Sequence, residues 1–255
     1  RYLEKKKENL NIIAQYEKIE HLSLQIAWNL QKSNFQEKGT SILVELDKIN
    51  ASIENSNLIN QNPSLQISLQ RTIRNALLQK GDFISLAIYL EEKLDEFEKQ
   101  KIFNRTNYNH KIVMQVWLIN SFLKLKKFEK AKAITGILKD SLMDFNKIHY
   151  NNFIWTYYQS RFAAIYYQGD LDGALNILDS LKNEKVIKGY GYYNVFLNIN
   201  LFMVYFSLSD YKKANQYLNE LLKPELFNSF SPELKMSVNM IDLIIYYENK
   251  DYNYM

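Results

Sequence analysis

Catalysis needs a few reactive side chains at defined spacings, and histidine is the first to look for. There are three, His21, His110 and His149. No two of them stand at the three- or four-residue spacing that would set paired imidazoles on one helix face around a metal. Paired carboxylates could serve general acid–base chemistry, and Glu91-Glu92 followed by Asp95 and Glu96 is a dense acidic group. Lys93 and Lys99 interleave it, so it reads as a solvated, internally paired face; a general acid needs a partly buried, perturbed site. Gly189-Tyr190-Gly191 lacks the third glycine of a dinucleotide loop, and neither a P-loop nor a GxSxG elbow occurs. With no cysteine in the chain, disulfides, thiolate metal sites and cysteine nucleophiles are excluded. The residue types point away from an enzyme, and no cofactor or metal is expected.

Binding chemistry is better represented. Between Asn151 and Tyr167 the chain carries Phe153, Trp155, Tyr157, Tyr158, Phe162 and Tyr166 together with Gln159 and Arg161. Aromatics on nearly every face of one helix mean burial from both sides, or burial on one side and an adhesive groove on the other. Tyrosine and arginine are enriched where proteins grip partners. Basic and acidic residues, 32 and 28, are interleaved and leave a net charge of +4. The concentrated basic stripe typical of nucleic-acid binding is missing, so direct contact with nucleic acid is not expected. No run of 18 apolar residues occurs, so no membrane span is expected.

The elements that must hold these residues are helices. Seven glycines and three prolines stand where average usage predicts roughly 30. Strand-rich folds need such residues at many tight turns, so the chain is expected to be all-α, built of long helices with few joints. A short pattern recurs: a small or polar pair, an aromatic or leucine, a small residue three positions on, then leucines at helical spacing. The clearest copy is Gly169-Asp170-Leu171 with Ala174, Leu178 and Leu181. Others are Ser209-Asp210-Tyr211 with Ala214, Lys126-Lys127-Phe128 with Ala131, and Gly81-Asp82-Phe83 with Leu86. Weaker copies centre on Phe35 and Tyr252. The near-even spacing predicts second helices starting at Phe83, Phe128, Leu171 and Tyr211. First helices are expected over roughly Asn109–Leu125, Asn151–Tyr167 and Tyr193–Ser207, with loops at 100–109 and 183–192. A lone hairpin buries one flank only, so such units must stack to offset the entropy of ordering them.

The turn, the anchor and the following alanine resemble the tetratricopeptide family, most closely over Gly169 to Ala174. The likeness covers roughly Leu65 to Met255, with repeats of 40 to 48 residues against the family's 34. It implies a right-handed α-solenoid of antiparallel helix hairpins. Residues 1–62 would form a degenerate amino-terminal hairpin region and 63–255 the repeat array, cut short at its carboxyl end. The start at Arg1 is expected to be a trimmed one, and the lack of cysteine and of a visible leader leans toward a cytoplasmic setting. The resemblance further implies a scaffold that binds a protein or peptide. First helices would line its concave side, with Asn120, Gln159, Tyr166, Asn198, Asn200 and Met203 facing the partner. Val116 and Phe196 stand where some family members place lysines for a terminal carboxylate. The alternative is a ligand- or peptide-sensing domain of a transcriptional or signalling regulator whose output domain lies elsewhere.

Overall fold

The computed structural model describes residues 2–33 and 61–248. Among them every regular element is helical, with 11 α-helices packed against their neighbours in chain order. The chain divides into two compact units, Arg1–Lys126 and Lys127–Met255. The first holds α1 (Tyr2–Ser33), α2 (Pro63–Lys80), α3 (Phe83–Lys99) and α4 (Tyr108–Lys124). The second holds α5 (Phe128–Lys147), α6 (Tyr150–Tyr166), α7 (Leu171–Asn183), a 3-10 turn (Ile187–Gly189), α8 (Tyr193–Ser207), α9 (Tyr211–Leu222), α10 (Pro224–Phe227) and α11 (Pro232–Glu248). Helices α3, α5, α7 and α9 begin on the expected anchors. The turn copies at Phe35 and Tyr252 lie outside the described residues.

The recurring turn has one geometry. Two residues before each anchor the backbone is left-handed, at Gly81 (φ 70), Lys126 (φ 57), Gly169 (φ 85) and Ser209 (φ 58). In three copies the next residue sends its N–H back across the helix end: Asp82 to Leu77 O, Asp170 to Ile165 O, and Asp210 to Tyr205 O. This closes the last turn in a Schellman arrangement. The same aspartates then cap the following helix, accepting from Ser85 N, Gly173 N and Lys213 N at 3.0, 2.8 and 3.1 Å. One residue pair thus ends one helix and starts the next. Lys127 stands at the corresponding place before α5 and makes no side-chain cap.

Behind each anchor, Leu86, Ala131, Ala174 and Ala214 are fully buried. In the second unit Ala214, Leu218 and Leu221 join Phe202, Val238 and Ile245 in a continuous apolar cluster. Helix α5 loses helical backbone at Asp144, Phe145 and Asn146, so its regular part ends at Met143. At the joint before α11, Ser231 Oγ accepts from Leu234 N at 3.3 Å, and Pro232 occupies the first turn. Helix α10 was not expected. Lys223 is extended (ψ 132), and Pro224 opens a single new turn in place of closing the previous unit.

Candidate functional site

The aromatic run lies on α6, and its contacts define the second unit. Toward α5 it is antiparallel: Phe128 stacks on Tyr167 and Lys139 sits over the Tyr157 ring. Arg161 donates to Lys132 O at 2.9 Å and to Thr135 Oγ1 at 3.1 Å, so its guanidinium ties two helices together. Toward α7, Tyr158 Oη reaches Ser180 O, and Tyr150 Oη donates to Glu184 Oε2 at 2.7 Å. Toward α8 the direction changes. Trp155 meets Phe196 at 5.0 Å and Tyr166 Oη lies 2.9 Å from Ser207 Oγ. Both pairs are separated by the same 41 residues, so α6 and α8 run side by side in the same direction. Phe162 fills the middle against Phe196, and Tyr190 stacks on Trp155 while donating to Asn151 O at 2.7 Å.

Three phenols at the amino-terminal half of α6 are shifted away from ionisation. Burial, then the hydrogen bond to Glu184, pushes the Tyr150 hydroxyl well above its ordinary range. Burial raises Tyr157 and Tyr158 too. These groups serve as hydrogen-bond donors and apolar surface at neutral pH.

The residues expected to face a partner are distributed unevenly. Gln159 is exposed, and Tyr166 lies two turns further along the same face of α6. Ser207 Oγ donates to Met203 O at 2.9 Å, so its single proton is engaged and Tyr166 is the donor in their shared bond. Met203 therefore sits one turn from the Tyr166 contact, half-buried against the α8–α9–α11 cluster. Asn200 is 7% exposed and its Nδ2 donates to Phe196 O of its own helix at 2.6 Å, which engages it structurally. Asn198 looks elsewhere, into a cavity between α8 and α9. Asn120 is half-buried on α4 in the first unit.

That cavity has a volume of about 670 Å³. The carboxamides of Asn194, Asn198 and Gln216 line it with Tyr217, Glu220 and Lys223. Lys223 Nζ pairs with Glu220 at 2.6 Å, and Tyr217 stacks on Tyr205 at 5.6 Å. Its size is that of a small-molecule or short-peptide site. Three carboxamides in such a space offer paired donors and acceptors, the chemistry that matches peptide bonds or hydroxyls. Sequence reasoning found Asn198 alone. The signal for the rest was Asn194 and Asn198 one turn apart opposite Gln216, which an asparagine-rich composition hides.

Among the described residues no group of three or more histidines and carboxylates could hold a metal, and no helix is long and apolar enough to cross a membrane. The acidic stretch on α3 is internally paired: Lys93 bonds Glu96 at 2.7 Å and Lys99 bonds Asp95. No family model, curated protein or solved structure matches the chain.

Proposed function

We propose that this chain is a non-catalytic scaffold: a tetratricopeptide-like, right-handed array of helix hairpins that holds a protein or peptide segment along its first helices. The constant 41-residue offset between α6 and α8 carries this reading. First helices that run in the same direction, each followed by a capped turn and a second helix, are what serial stacking of hairpins requires. Such stacking leaves a face on which Gln159 and Tyr166 recur at partner-facing positions, with Met203 beside them. An extended segment laid across that face would bond its backbone to the carboxamide and bury side chains against the tyrosine and methionine. Isolating the chain's partner and measuring its affinity for a Gln159→Ala, Tyr166→Ala double variant tests the reading. A loss of tenfold or more at unchanged melting temperature is expected; undiminished affinity moves the site elsewhere.

The cavity at α8 and α9 favours a second reading, a ligand-sensing domain of a larger regulator. Asn198→Leu would then abolish the thermal shift produced by the small ligand and leave partner affinity unchanged.

A further inference from the structure

Arg74, on α2, is only 7% exposed. Its guanidinium bonds a single protein group, Asn75 Oδ1, through Nε at 3.4 Å and Nη2 at 3.2 Å. Both bonds are long, and a guanidinium carries five N–H donors. Among the described residues no carboxylate pairs with Arg74 or with its neighbour Arg71. The fold satisfies a buried cation elsewhere in the same unit: Lys111 on α4, with its side chain 16% exposed, is paired with Glu98 at 2.9 Å. Arg74 lacks such a partner: the Arg71 cation opposes its charge, and of its neighbours the Tyr89 phenol alone favours it.

Arg71 lies one turn earlier on α2 and is exposed. His110, in the first turn of α4 and half-buried, completes the group. Burial holds its imidazole below its ordinary range, and the adjacent Arg71 and Arg74 lower it further. A second donor also wants an acceptor. Gln70 is 2% exposed, stands one turn before Arg74 on α2, and its Nε2 meets no hydrogen-bond partner. A buried guanidinium without a carboxylate partner and a buried amide donor without an acceptor leave N–H groups open to an oxygen, and the exposed Arg71 one turn away favours one that carries negative charge.

We infer that α2 and α4 of the first unit form an oxyanion site, and that the anion it takes is a carboxylate borne by the bound peptide. Arg74 and Gln70 form its floor, His110 one wall and Arg71 its mouth. The choice of a peptide carboxylate rests on the scaffold reading above; the need for an anion rests on the charges alone. A planar fork of N–H donors matches a carboxylate through two parallel bonds, which a lysine would not provide. The site selects for acidity in the partner, whereas the α6 face selects for shape and backbone.

His110 reports occupancy, because an anion set among these cations raises its pKa. In the isotopically labelled full chain, the His110 ring signals are followed by NMR. The probes are acetyl-Ala-Asp-Glu-Ala-amide, its carboxamide counterpart acetyl-Ala-Asn-Gln-Ala-amide, and inorganic phosphate. The acidic peptide is expected to shift the His110 signals saturably and raise its pKa, while His21 and His149 stay put. The carboxamide peptide should leave His110 unmoved, and Arg71→Gln should weaken the response tenfold or more. Arg74→Met, which keeps the apolar stem, should remove the response. No saturable shift, an equal shift with the carboxamide peptide, or an undiminished shift in both variants overturns the site. Saturation by phosphate at lower concentration than by the peptide overturns the carboxylate assignment. An intact His110 response alongside undiminished partner affinity in the Gln159, Tyr166 double variant refutes the groove and spares this site.

Discussion

Arg74 and Phe162 occupy equivalent places in the two units, each nine residues before the anchor that opens the next helix. Phe162 is 4% exposed and lies among Tyr166 and Phe196, ring upon ring. Arg74 is nearly as buried, with one asparagine oxygen for company. The same helical position holds Ile119 in α4, Phe162 in α6 and Phe202 in α8, all buried and apolar, and a buried charge in α2. Stacking alone would favour the apolar solution everywhere, since a buried charge without a partner is destabilising. A fold that forgoes this at one place and not the others has a use for the charge, and binding an anion is the use that fits.

The contrast can be broken most forcefully at Phe162. Phe162→Ala removes the ring between α6 and α8 and is expected to destabilise the second unit by about 3–5 kcal/mol in urea unfolding. A loss below about 1 kcal/mol would mean that the interface collapses around the gap. Next come the turns. Gly169→Ala forces a side chain onto left-handed backbone and should cost about 1–2 kcal/mol, while Ser209→Gly should gain several tenths. Opposite signs at these two positions would confirm that the turns share one geometry. Arg74→Met should not destabilise, and a gain of about 1 kcal/mol is expected because the desolvated charge disappears. A marked loss there would show that the guanidinium is held by the fold for stability.

The smallest effect is on pH. His110 has a folded pKa below its ordinary 6.5, so below that value the unfolded chain binds the proton more readily than the folded one. The linked contribution is absent above pH 6.5, and stability falls as pH drops through the unfolded and then the folded pKa. Replacing Arg71 with Gln should narrow that window, because one of the two cations opposing protonation is gone. Unfolding midpoints between pH 5 and 8 (a range of roughly the kind a histidine spans) would record the difference between variant and parent.

Much of the helical order was legible because the turn is chemically explicit. An aspartate caps from Asp82, Asp170 and Asp210, and left-handed backbone precedes each, so the following helices start where the pattern says. Ala131, Ala174 and Ala214 announce close approach by their size alone. The site was less legible for three physical reasons. Asn198 and Asn200 are two residues apart, which on a helix turns one into a cavity and the other into the core. Arg161 looked like part of a sticky surface, yet it serves the backbone of α5 at Lys132. Arg74 gave no signal, since an arginine in an amphipathic helix ordinarily keeps its head in water. Pro224 was ambiguous on its face: a proline after a helix can close one element or open the next, and the extended Lys223 decides for the latter.

Serial packing of hairpins requires α6 and α8 to lie side by side in the same direction, which spin labels on the two helices can measure. The chain has no native cysteine, so single pairs can be introduced cleanly at Asn152 with Tyr192, Tyr167 with Leu208, and Asn152 with Leu208. Side-by-side helices that run the same way place the first two backbone pairs about 10 Å apart and the third about 25 Å apart. Dipolar spectroscopy should therefore return two short distances and one long. A short distance between Asn152 and Leu208, with long ones for the other pairs, would reverse α8 and remove the repeat on which the scaffold depends.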